Sequence, residues 1–165
     1  MISPPPRPLT IGVLVFPGFQ LLDYAGPMDA FNILALSHPV ALSTIATTLA
    51  PVPTHNGGQA SAGSSISQSV VPTNTLETAP NDLDVLLIPG GMGARDQQNA
   101  DMLSKCVAWL KERHVGGAKG PKWVLTVCTG SEILARTGVL DGRKATTNKK
   151  AFNEVSVGRG GGGGT

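Results

Sequence analysis

Aromatic side chains are scarce: one Tyr, two Trp and four Phe in 165 residues, or 4% of the chain. Platforms that stack single-stranded bases are built on such rings, so their scarcity argues against that function. An excess of one charge is also missing. Thirteen Lys and Arg stand against 11 Asp and Glu, a net charge of +2. That is too small to make nucleic acid or an anionic membrane the main partner. Only two cysteines occur, Cys106 and Cys128, which excludes a disulfide framework and a Cys-rich zinc site. Long apolar runs are lacking too. The first, Ile11 to Phe16, is broken by Pro17-Gly18 and is far too short to cross a bilayer. The start, MISPPPRPL, has no charged leader with an apolar run behind it, so no secretory signal is expected. The expected compartment is the reducing cytosol, where a free thiol persists.

What is present is an ordinary globular composition, 41% hydrophobic, long enough for one domain with a core. The 21 Gly and 13 Pro are clustered: three of the first six residues are Pro, and five consecutive Gly nearly close the chain. Residues 1–9 read as an extended, disordered Pro-rich tail, 10–155 as the domain, and 156–165 as a disordered Gly-rich tail. TIGVLVF (10–16) suits a strand buried on both faces. Apolar spacing from Met28 to Leu36 marks a helix, with Pro27 near its start. Further strands are expected over 40–49, 83–91 and 123–127, the last two buried. Residues 50–80 read as a loop carrying a β-hairpin. Asn99 to Arg113 is an amphipathic helix, and CTGSEILART a helix closed by Gly138. A short strand over 144–147 and a further helix from Lys149 complete the pattern. Alternating strands and helices predict an α/β fold: a doubly wound, mostly parallel sheet sandwiched by helices, flavodoxin-like.

The strongest chemical signal is Cys128. An apolar strand ends, a cysteine follows, then Thr129-Gly130-Ser131 opens a helix. Such turns hold a nucleophile at a sharp elbow, and a helix N-terminus favours the thiolate. A buried structural cysteine is the alternative. Cys106, on the apolar face of a helix, reads as core. Pro89-Gly90-Gly91-Met92-Gly93 follows a strand. It is either a tight turn or a place where the amides of Gly91 and Thr129 meet a developing oxyanion. Asp23 is either a helix N-cap or, if its strand neighbours the cysteine strand, a proton shuttle. His38, His55 and His114 read as loop or surface residues. Glu132 is expected to face along its helix, and Asp82 and Asp84 to be solvated at a strand edge.

Taken together, IGVLVFPGFQLLDYAGP, DVLLIPGGMG and VLTVCTGSEILARTGVLDGRKATTN resemble the DJ-1/PfpI superfamily, the class I glutamine-amidotransferase-like fold. The resemblance runs from Thr10 to Asn148. It is nearest to the isonitrile hydratase branch, whose nucleophile is followed by Thr-Gly and whose acid is an Asp. It implies Cys128 as nucleophile, Asp23 as acid, Gly90, Gly91 and Thr129 lining the site, a small-molecule substrate, no metal or organic cofactor, and a homodimer. Hydratases of this branch read ATTHW where this chain has Ala145-Thr146-Thr147-Asn148-Lys149, a form similar to fungal members. The superfamily then continues with a strand, a pocket segment and a helix where this chain has its glycine tail. A C-terminally shortened domain is therefore expected. Three readings follow: a cysteine-dependent hydratase or hydrolase-like enzyme, a redox-responsive protein without turnover, and an inactive shortened product.

Overall fold

The run of Ile, Val and Leu near the start forms strand β1 (Leu9–Leu14), whose last four residues are fully buried. Apolar on both faces, it sits in the middle of its sheet. The computed structural model describes residues 7–153. In chain order the elements are β1, helix α1 (Leu21–Leu34), β2 (Val40–Ala46), β3 (Val52–Pro53), a short helix α2 (Gly57–Ser61), β4 (Ser69–Val70), β5 (Asn74–Thr75), β6 (Val85–Ile88), α3 (Ala100–Glu112), β7 (Trp123–Thr126) and α4 (Gly130–Ala135). Five strands pair in the order β5-β2-β1-β6-β7, and every pairing is parallel. β3 and β4 form a separate antiparallel hairpin, as the 50–80 segment predicts. The fold is the mostly parallel, helix-flanked, flavodoxin-like sheet expected from the alternation.

The strand order fixes where a ligand can go. From β1 the chain passes through α1 to β2 on one side, while β6 lies on the other side and leads through α3 to β7. Winding reverses between β1 and β6, and open α/β sheets place ligands at the carboxyl ends of strands at such a point. Three loops meet there: Val15–Gln20 after β1, Pro89–Gly91 after β6, and Val127–Thr129 after β7. Beneath them Phe16, Phe19, Leu86, Ile88, Leu110 and Ile133 are essentially inaccessible to solvent.

Several expectations need correction. α1 starts at Leu21, so Pro27 lies inside the helix and removes the N–H that would pair with the Asp23 carbonyl. β7 is the sheet's edge and only partly covered, with Trp123 65% and Leu125 41% exposed. Residues 144–147 form no strand; the helix expected from Lys149 opens as a 3-10 turn over Lys149–Ala151 and is helical at Phe152 and Asn153, the last described residues. The N-terminal tail ends before residue 9, because Leu9 already pairs with Val40 and Arg7 binds Asp84. Residues 1–6 and 154–165, which include the glycine tail, lie outside the described residues. Asp84 is not solvated. It is buried, its carboxylate accepting from the Thr10 N–H and hydroxyl and facing Arg7 at 2.6 Å and Lys122 at 3.1 Å. Asp82 is exposed, as expected.

Candidate active site

Val127 still extends the ladder, donating to the Ile88 carbonyl at 3.1 Å, and Gly130 then turns back onto the Val127 carbonyl at 2.8 Å. Cys128 takes up that turn at φ 53°, a left-handed conformation that non-glycine residues adopt at a cost. Its carbonyl is held by the Ser131 hydroxyl at 3.2 Å and the Thr147 hydroxyl at 3.3 Å. The residue is exposed, so the structural-cysteine reading fails. Its Sγ accepts a hydrogen bond from Asn148 Nδ2 at 3.2 Å. Asn148 Oδ1 accepts from the Lys150 N–H at 2.9 Å, which leaves the amide nitrogen to face the sulfur. The helix after Cys128 is only six residues long, so it brings few aligned peptide dipoles to the sulfur.

The glycine turn after β6 packs backbone against backbone. A Cβ on Gly90 would come within 2.6 Å of the Thr129 nitrogen, and one on Gly91, at φ 141°, within 2.4 Å of the Gly18 carbonyl oxygen. No side chain fits there. The amides of this turn are already in use. Gly91 N–H donates to Thr129 Oγ1 at 3.0 Å, and Gly90 N–H donates to Asp23 Oδ2 at 3.1 Å. The oxyanion role expected of the Gly91 amide is therefore not available in this arrangement.

Asp23 is not an N-cap. The cap position is Gln20, which makes no side-chain cap; its N–H donates to the Gly90 carbonyl at 2.8 Å. Asp23 sits in the first helical turn and reaches across to Gly90. Burial pushes its carboxyl above the ordinary aspartate value, against the opposing pull of the Gly90 N–H. β1 and β6 are direct neighbours and β7 follows β6, so Asp23 and Cys128 flank the same glycine turn.

The exposed sulfur opens into a pocket of about 690 Å³ lined by Gln20, Gly91, Met92, Arg95, Cys128, Thr129, Asn148, Lys150 and Ala151. Of the residues anticipated from sequence, Cys128, Thr129 and Gly91 line it, while Asp23 and Gly90 stand behind it. Gln20, Arg95, Asn148 and Lys150 were not anticipated as lining. Glu132 does not simply face along its helix. Its carboxylate meets Arg136 at 2.6 Å and Arg95 at 3.9 Å, and Arg136 also donates to the Ala94 carbonyl. Cys106 is fully buried, and burial pushes its thiol up to about 12. None of the three histidines lines this pocket. Among the described residues no group of three or more His, Cys, Asp or Glu could hold a metal ion, and no helix is long and apolar enough to cross a membrane.

A flavodoxin-like sheet with a cysteine elbow after one strand and a diglycine turn after its neighbour defines a class of α/β domains. Residues 10–162 match the DJ-1/PfpI family, and the chain belongs to that family. It is 34% identical over 144 residues to the isonitrile hydratase of Pseudomonas putida, an alignment covering 85% of this chain and 52% of that protein. It is 30% identical to an uncharacterized protein encoded in the cpoL 5' region of Streptomyces lividans, covering 86% of this chain and 88% of that one. Among solved structures, a ThiJ/PfpI family protein from Pseudomonas syringae superposes with a TM-score of 0.59 at 30% identity, over 86% of this chain and 50% of that one. The chain thus spans about half the length of the hydratase and of the P. syringae protein.

Proposed function

We propose that this protein is a cysteine-dependent hydratase acting on a small molecule, with an isonitrile converted to its N-formamide as the reaction. The observation that carries this reading is the exposed Cys128 sulfur, held on a left-handed turn at the mouth of a pocket. Its likeness to the P. putida isonitrile hydratase supports the choice of substrate.

In the proposed reaction the Cys128 thiolate adds to the terminal isonitrile carbon and a carbon–sulfur bond forms. Asp23, whose carboxyl retains its proton to higher pH than an ordinary aspartate but does not itself line the pocket, delivers a proton to that carbon through an intervening water, giving a thioimidate. Water then adds to the same carbon, returning one proton to Asp23. As the carbon–sulfur bond breaks, the hydroxyl proton moves to nitrogen, and the formamide leaves with the thiolate restored. The covalent route divides one difficult hydration into two easier steps. The site is proposed to work without metal or organic cofactor, in a cytoplasmic homodimer.

The test is turnover of a small isocyanide, with the formamide read by mass spectrometry. Cys128→Ala is expected to abolish product while leaving the circular dichroism spectrum unchanged. Full activity in that variant overturns the mechanism.

One observation favours a second reading. Cys128 is exposed while Cys106 is sealed in the core, so an oxidant would meet one thiol only. Under this reading mild peroxide oxidises Cys128 selectively in a protein that turns nothing over. Formamide production by the wild-type protein overturns it.

A further inference from the structure

We infer that the Cys128 pocket selects a small substrate carrying a negative charge, a carboxylate above all, and that Lys150 is the residue that selects it. The inference rests on the reading of Cys128 as the reactive thiol. Two of the pocket's lining residues bear full charges, Arg95 and Lys150, and among the described residues no carboxylate lines it. Arg95 is partly offset by Glu132 at 3.9 Å. Lys150 is exposed and makes no ion pair among the described residues. No described carboxylate offsets its charge at the pocket mouth.

The backbone that carries Lys150 is also tied to the sulfur. Lys150 N–H donates to Asn148 Oδ1 at 2.9 Å, and the same Asn148 side chain donates to Cys128 Sγ at 3.2 Å. One amide thus fixes where the lysine departs relative to the reacting atom. Neither nearby carboxylate lines the pocket: Asp23 accepts from the Gly90 N–H, and Glu132 is clamped by Arg136. An anionic group on the substrate therefore meets the Lys150 charge at the rim and no repelling carboxylate among the described lining residues. A charge pair about 6 Å apart in a water-rich setting alters a rate by about three- to tenfold, and the effect is screened by salt.

The experiment compares a charged and a neutral reagent at the same thiol. Iodoacetate and iodoacetamide both alkylate Cys128 by displacing iodide, and mass spectrometry reads each rate at that residue. In Lys150→Met the iodoacetate-to-iodoacetamide rate ratio is expected to fall about three- to tenfold from the wild-type value. Lys119→Met removes the same charge from the loop that enters β7, at the opposite end of that strand, and is expected to leave the ratio unchanged. Salt at 1 M should bring the wild-type ratio down towards that of Lys150→Met. An identical ratio in wild type and Lys150→Met overturns the inference.

A second arm measures kcat/KM for isocyanoacetate against its methyl ester. Preference for the acid, reduced in Lys150→Met, supports both the inference and the hydratase reading. If neither isocyanide is hydrated while the alkylation ratio still responds to Lys150→Met, the hydratase reading falls and charge selection stands. If both are hydrated equally well in wild type and variant, charge selection falls and the hydratase reading stands.

Discussion

Asp23 is the residue whose role is most sharply divided between support and chemistry. Its carboxyl is raised by burial, with the Gly90 N–H pulling the other way. A carboxyl raised in the folded state favours its neutral form there. Its ionisation therefore costs the fold stability once the pH passes the unfolded value near 4, and that loss persists above the folded value. Asn cannot ionise, yet its oxygen can still accept from Gly90. Asp23→Asn is thus expected to hold or raise the melting temperature at pH 7 while kcat falls by about 100-fold or more. A lower melting temperature with unchanged turnover would mark Asp23 as a support of α1 and nothing else. Asp84 has the opposite sign. The Thr10 N–H above all, then Arg7, holds its carboxyl well below the usual carboxylate range. Its contribution is present above the unfolded value near 4 and is lost as pH falls towards its own lower value.

At the scale of elements, Asp84 matters because it joins three strands at their amino ends. It binds Thr10 of β1, it precedes β6, and it faces Lys122 just before β7. Its own N–H completes the exchange with the Thr10 carbonyl at 2.9 Å. Asp84→Ala leaves the half-buried Thr10 N–H without its acceptor and removes the partner of Arg7 and Lys122, and is expected to cost about 1–3 kcal/mol, measured by urea unfolding at pH 7. The same variant should show a shallower loss of stability on acidification. β7 presents a different situation. Leu125 is 41% exposed on an edge strand, and such edges invite pairing with other chains. Leu125→Lys is expected to change the melting temperature little and to reduce self-association at high protein concentration, read by light scattering. Unchanged association would place the sticky surface elsewhere, for instance on α1, where Leu22 and Ile33 are also exposed.

At the scale of the molecule, the sequence was informative wherever a property is local. β1 and β6 are buried on both faces, so their apolar runs are unbroken and readable. WVLT looks the same in sequence, but its exposure depends on what lies beside β7, which no local pattern records. Residues 144–147 have strand-like composition and no neighbouring strand among the described residues, so no ladder forms. Asp84 looks like any acid at a strand end, and only the convergence of three strands buries it. The start of α1 was missed because Leu21 and Leu22 fall outside the apolar spacing that begins at Met28. The site divides in the same way. Cys128, Thr129, Gly90 and Gly91 are turn residues with a recognisable local signature. Gln20, Arg95, Asn148 and Lys150 come from distant stretches of chain and meet only after folding. This division has a practical consequence. The junction beneath the sulfur is main chain against main chain, with no space for side chains between the loops, whereas the rim is made of side chains, Gln20, Asn148 and Lys150 among its exposed members. Scaffold and selectivity are thus carried by different atoms, and a chemist could exchange the rim as one swaps the jaws of a vice, leaving the frame untouched.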